Sequence, residues 1–140
     1  MAKQHLDTID TLVIHCLDTY ANMDTDAATV DMWHKARGFD SIGYHYLIRR
    51  NGTVERGRED GTVGAHAKGH NTGSLGIALA GGKSDDNEPS CNFTAAQWKS
   101  LAELCINLKW KYNLKIIGHN EISDKTCPNF DVQAWQEDLK

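Results

Sequence analysis

The sequence predicts an α/β fold, a single-domain mixed β-sheet of about five strands with helices packed on both faces. Three observations carry this. Thr11-Leu-Val-Ile-His-Cys16 and Lys115-Ile-Ile-Gly118 are short, nearly unbroken apolar runs, the pattern of strands covered by other elements. Asn51-Gly52 separates two β-rich runs, Tyr44 to Arg50 and Thr53 to Gly57, and so marks a tight hairpin turn. Thr94-Ala-Ala-Gln97 is a capping box that opens a stripe of Leu101, Leu104, Cys105, Leu108 and Tyr112 at helical spacing, apolar enough to pack on a sheet.

Taken in order, residues 1–9 read as an N-terminal tail. The first strand spans about Thr11 to Cys16 and makes a stiff mount for His15. Asp18 to Thr25 is polar loop. Asp26 to Arg37 is a helix with Gly38 as its C′ residue. In the hairpin, strict alternation puts Tyr44, Tyr46 and Ile48 on one face and His45, Leu47 and Arg49 on the other. Gly61 to Ser74 is rich in Gly, His and Asn without periodicity, hence a long surface loop of the kind that often carries function. Leu75 to Ala80 is a fourth strand, and Gly81 to Asn92 an acidic turn region. The long helix covers Thr94 to Tyr112, and Lys115 to Gly118 is strand five. In the final helix, Val132 to Leu139, Asp131 serves as N-cap, and Phe130 with Trp135 has the spacing of a hydrophobic staple. Trp33, Trp98, Trp110 and Trp135 all fall in helices and read as core, with Trp33 the best candidate for an exception.

At 140 residues and 40% hydrophobic content the chain can bury roughly two thirds of its unfolded surface, so no metal is needed as a staple. A net charge of −4 argues against nucleic acid or anionic membrane as the main partner. The N-terminus lacks an apolar signal segment, and no apolar run reaches membrane-spanning length, so a soluble cytoplasmic chain without signal peptide or membrane anchor is expected. A monomer is expected as well. Cys16, Cys91, Cys105 and Cys127 could form two disulfides by count alone, but without a secretory signal thiols and metal ligands are favoured. Cys105 and Cys16 read as core filler, while Cys91 sits in a polar loop.

The chemistry concentrates between Lys115 and Asp131. Strand five delivers His119 at the sheet edge, and the following loop carries Lys125 and Cys127, two apart and so facing one site if the loop is extended. His15 ends another apolar strand. Two histidines and a cysteine leave zinc a fourth, open position, which is the arrangement of a catalytic site. Plainer readings stand beside this one: strand-end histidines can cap carbonyls, a lone cysteine is usually a small buried hydrophobe, and Lys125 is otherwise a solvated cation. Two other function classes also remain open. One makes Cys127 a nucleophile with His119 as base, which leaves His15 without a role. The other is a muropeptide- or protein-binding module without turnover.

Six motifs, Val13-Ile-His-Cys16, Trp33-His-Lys35, Gly43-Tyr-His-Tyr46, Asn51-Gly-Thr-Val-Glu55, Val63-Gly-Ala-His-Ala-Lys-Gly69 and Lys125-Thr-Cys-Pro128, run through nearly the whole chain. In this order they resemble the type 2 N-acetylmuramoyl-L-alanine amidases, in particular the small phage lysozymes of that family, which is related to the peptidoglycan recognition proteins. The resemblance implies that His15, His119 and Cys127 hold Zn2+, that Tyr44 and Lys125 assist the chemistry, and that His66 and Asn71 line the groove for the muramyl peptide. The implied reaction is hydrolysis of the amide between N-acetylmuramic acid and L-alanine in peptidoglycan. Family members that only bind peptidoglycan typically lack the cysteine ligand, so Cys127 points to the active branch. No further cell-wall-binding domain is expected, a layout that resembles endolysins made in the host cytoplasm and acting on a thin periplasmic wall. A second, regulatory protein partner is left open.

Overall fold

The computed structural model describes residues 1–139. Seven strands and three helices follow in the order β1 (Thr11–Cys16), β2 (Thr19–Tyr20), α1 (Ala27–Ala36), β3 (Tyr46–Ile48), β4 (Val54–Arg56), β5 (Ser74–Leu79), β6 (Gly82–Lys83), α2 (Ala95–Tyr112), β7 (Lys115–Gly118) and α3 (Val132–Gln136). Five of the strands form one mixed sheet in the order β4-β3-β5-β1-β7, and β2 pairs with β6 in a small parallel ribbon. Strands β3, β5, β1 and β7 are parallel neighbours, while β4 returns antiparallel to β3. Every residue of β5, and all but the first of β1, is buried. That is why their sequences are apolar on both faces and do not alternate.

The larger core lies between the sheet and α2, where Leu12, Ile14, Ile48, Ile77 and Leu79 meet Leu101, Cys105 and Leu108; Val132 of α3 joins the same cluster. A smaller core of Val30, Ile42 and Leu47 seats α1 on the opposite face. Helices therefore cover both faces, as expected. The capping box is present, with Thr94 Oγ1 accepting from the Gln97 N–H (3.0 Å) and Gln97 Oε1 accepting from the Thr94 N–H (3.0 Å). Gln97 is also fully buried, and its amide donates to the carbonyls of Ile48 and Ala80, which ties the start of α2 to the ends of β3 and β5. Asp131 caps α3 through the Ala134 N–H, and the Phe130 and Trp135 rings stand 6.1 Å apart as the staple requires.

Four expectations need correction. The hairpin loop holds three residues: Arg49 N–H donates to the Thr53 carbonyl, Gly52 N–H donates back to Arg49, and Gly52 takes φ +89, so a bulge replaces a two-residue turn. Strict alternation also fails ahead of β3. Tyr44 packs with Leu47 in the smaller core and not with Tyr46 and Ile48, because the strand is irregular where the carbonyls of Tyr44 and His45 accept from the adjacent N–H groups of Arg58 and Gly57. Residues 1–9 do not form a free tail. Lys3 bridges to Thr62, Ile9 is buried, and Gln4 bonds Gly61, Asp60, Gly73 and Ser74. Finally, Trp98 and Trp135 pack on the core, whereas Trp110 is 89% exposed; Trp33, the expected exception, is 37% exposed.

Candidate metal centre and its cleft

Register brings the first two candidate ligands together. Within the parallel β1–β7 pair Ile14 stands opposite Gly118, so the next residue on each strand, His15 and His119, emerges at the same level at the carboxyl ends of the strands. Their ring centroids are 4.5 Å apart. Ligand sites in open α/β sheets gather at this end, where the chains turn away and leave a crevice. Cys127 arrives from the loop between β7 and α3, across a cis Cys127–Pro128 peptide. The loop is pinned by Asn129, whose side-chain amide donates to the carbonyls of Gly82 and Ser90, and by Asn120, which donates to Thr126 and Phe130. One donor atom from each of His15, His119 and Cys127 lies within 4.8 Å of the other two. Among the described residues this is the one such set of three.

The surroundings shift each donor toward the state a cation needs. Burial, then the neighbouring His66 and His119, holds His15 well below the ordinary histidine value; burial and the Lys125 ammonium lower His119. The Cys127 thiol is lowered, first by its hydrogen bond with the Cys16 thiol and further by the Cys16 backbone N–H and the Lys125 charge, all of which favour the thiolate against the cost of burial. Cys16 is raised in return, by that same side-chain bond and by burial. Two imidazoles and a cysteine sulfur suit zinc, with three protein ligands leaving a position open.

The remaining predicted residues surround this centre. Tyr44 stands 5.2 Å from His15 between ring centroids, and burial followed by the Cys127 and Cys16 sulfurs pushes its phenol above the ordinary tyrosine value. It is therefore a proton-bearing donor at neutral pH. Lys125 is exposed at the cleft mouth, close enough for its charge to depress both His119 and Cys127. His66 and Asn71 lie in the wall of the same cleft, a cavity of about 940 Å³. Both His66 nitrogens and the Asn71 side-chain oxygen, however, are engaged within the protein: His66 Nδ1 is 2.9 Å from His15 Nε2 and its Nε2 3.1 Å from Ser74 Oγ, while Asn71 Oδ1 accepts from the N–H groups of His66 and Ala67. Burial, followed by the charges of His45 and His119, lowers the His66 imidazole to about 3, so it is neutral.

Three further residues contribute to the cleft. Cys16, read as filler, donates its backbone N–H to Cys127 Sγ at 3.1 Å. His34 accepts from the Gly43 N–H through Nδ1 (2.8 Å) and turns the rest of its ring to the cleft, 5.6 Å from Tyr44. Arg37 lies over Phe39 at 5.2 Å on the same rim. The motif Trp33-His-Lys35 was a signal for His34; no sequence pattern marks a backbone N–H. His45 is structural, with Nδ1 accepting from Gly76 and Nε2 bonded to the Thr62 carbonyl. A second cavity of about 510 Å³, beside Met1 and α1, carries no comparable donor set: its Asp31 caps the Ile42 N–H and pairs with Lys35, and its Arg58 donates to the carbonyls of Ile42 and Val63.

Comparison with known proteins agrees with this geometry. The family model described as N-acetylmuramoyl-L-alanine amidase matches residues 5–130. The endolysin of Klebsiella phage KP32 is 41% identical over 127 residues, covering 90% of this chain and 84% of its own. The endolysin of Escherichia phage T7 is 39% identical over 132 residues, covering 94% and 87%. Among solved structures, the endolysin amidase LysCS from Clostridium intestinale superposes with a TM-score of 0.83 at 32% identity, covering 99% of this chain and 88% of that one.

Proposed function

The chain belongs to the N-acetylmuramoyl-L-alanine amidase family, and from that premise we propose that it is a zinc-dependent endolysin, hydrolysing the amide between N-acetylmuramic acid and L-alanine in the peptidoglycan of a host cell wall. The observation that carries the reading is the convergence of His15, His119 and Cys127 at the carboxyl ends of two parallel strands. Zinc held by these three residues supplies Lewis acidity, which activates water and polarises an amide carbonyl.

The chain's own groups do the rest. The Tyr44 phenol, held protonated, donates a hydrogen bond and orients water or the scissile carbonyl. The Lys125 ammonium faces the negative charge that develops on the carbonyl oxygen during attack, where a preorganised cation lowers the barrier. Loop 61–74 forms one wall of the groove for the muramyl peptide, with His66 and Asn71 in that wall. Among the described residues no helix is long and apolar enough to cross a membrane.

The test is release of free stem peptide from purified sacculi. Release is expected with the zinc-loaded protein, loss with chelator, and recovery on metal return. Full activity in metal-free protein, abolished by thiol alkylation alone, would transfer the role to Cys127 as a nucleophile. Zinc binding without release would leave a muropeptide-binding module.

A further inference from the structure

We propose that His66 is a positioning residue for the metal: it accepts a hydrogen bond from His15 Nε2–H and so holds His15 in the tautomer whose Nδ1 lone pair is free for zinc. This rests on the zinc reading above and assigns a residue that acts on a ligand, not on substrate.

The direction of each hydrogen bond follows from the far end of the chain of contacts. Ser74 Oγ lies 2.8 Å from the His70 carbonyl and 3.0 Å from the Asn71 carbonyl, and carbonyls only accept, so the single hydroxyl proton is spent there. The 3.1 Å contact between Ser74 Oγ and His66 Nε2 must then be donated by His66. A neutral imidazole with its proton on Nε2 carries a lone pair on Nδ1, and the 2.9 Å contact with His15 Nε2 is donated by His15. That leaves His15 Nδ1 bare. Metal-bound histidines generally have the second nitrogen held in this way, which fixes ring orientation and tautomer.

Two glycines show that the fold is built around this ring. A Cβ on Gly76, in the middle of β5, would meet three atoms of the His66 ring at 2.6–2.8 Å; a Cβ on Gly64 would meet His66 Cδ2 at 2.6 Å and His45 Cε1 at 2.9 Å. The glycines of this stretch thus admit the imidazole to the sheet. Asn71 secures the backbone of the same residue, accepting from the His66 and Ala67 N–H groups at 2.9 Å each. At 9% exposure and with both nitrogens bonded inside the protein, the His66 ring is placed to serve His15.

The test uses the full chain, prepared with and without zinc. In the zinc-free parent, long-range 1H–15N correlations of the imidazoles should show His15 protonated at Nε2 and bare at Nδ1; the opposite tautomer overturns the proposal. In competition with a chromophoric chelator, His66→Ala should bind zinc about 10- to 100-fold more weakly. His66→Gln, whose side-chain carbonyl can accept the same bond, should recover part of that loss. Should His66→Ala fail to fold, Ser74→Ala, which removes the acceptor of the His66 proton, should show a smaller loss in the same titration. Parent-like zinc affinity in the folded variants, with KM alone raised, would make His66 a substrate contact and overturn the proposal. A parent that takes up no zinc removes the metal reading itself, a result that the tautomer measurement distinguishes from a wrong bond direction.

Discussion

The backbone N–H of Cys16 lies 3.1 Å from Cys127 Sγ, although the two residues are 111 positions apart. One strand end therefore serves the centre twice, presenting His15 as a donor and supporting the sulfur of another donor with the next peptide group. A backbone N–H aimed at sulfur favours the thiolate, and the Lys125 charge adds to it. Cys127→Ser keeps the size but replaces a thiolate with a neutral hydroxyl. The variant should lose most of its zinc on dialysis and lose stem-peptide release with it, while its far-UV spectrum stays that of the parent. Retention of both metal and rate would show that Cys127 is not a ligand.

Gln4 links the N-terminus to both ends of the loop that carries His66. Its amide donates to the Asp60 and Ser74 carbonyls at 2.9 and 3.2 Å, and its Oε1 accepts from the Gly73 N–H at 2.8 Å. At about 0.5–1.5 kcal/mol net per hydrogen bond, Gln4→Ala should cost on the order of 1–3 kcal/mol in urea unfolding. Amide exchange should accelerate at Gly73 and its loop neighbours, with the amides of β1 unaffected. Unchanged exchange at Gly73 would mean that the loop holds itself.

Features with a local period or a local cap were legible in the sequence. The apolar runs of β1 and β7, the Thr94 capping box, the Asp131 cap and the Phe130–Trp135 staple each need only a short window of residues. The donor set was legible for a related reason, since two strand-end histidines and a loop cysteine are few and conspicuous. Tyr44 was reached through a motif but put on the wrong face, because the irregular stretch before β3 breaks alternation and no residue type announces it. Gln4, the bonds of the Gln97 amide to Ile48 and Ala80, and the Cys16 N–H could not be read at all. Each acts through contacts tens of residues away in sequence, and polar side chains carry no periodic signature of such partners. Gly76 and Gly64 make room for the His66 ring, a contact between distant residues that no local pattern announces.

The buried imidazoles should make the zinc-free protein sensitive to mild acid. Burial lowers His45 and His66, the latter to about 3, whereas in the unfolded chain each titrates near about 6.5. Below that value the unfolded state takes up protons that the folded state refuses, so the stability contribution is complete above about pH 6.5 and is lost as pH falls from there through the folded values. Each group adds a slope of up to about 1.4 kcal/mol per pH unit. Urea midpoints of metal-free protein should fall steadily between about pH 7 and pH 5. A flat profile over that range would show that these rings charge without unfolding.

Tyr44 and Lys125 should separate from the metal donors when each is replaced. Tyr44 is a protonated phenol 5.2 Å from the His15 ring between centroids, and Lys125 is an exposed ammonium at the cleft mouth. Neither is a usual zinc ligand in a set that already has two imidazoles and a thiolate. Tyr44→Phe removes one hydroxyl from a packed ring, and Lys125→Ala removes a loop side chain, so zinc content and urea midpoint should stay close to the parent. The rate should fall instead, because both groups meet charge that exists only during amide cleavage. Loss of such a donor lowers kcat by about a hundred- to a thousand-fold, with KM nearly constant. Parent-like turnover on sacculi in both variants would remove the two residues from the chemistry. Loss of zinc in either one would place that residue in support of the metal site, since a group acting only on developing charge has no reason to alter metal content.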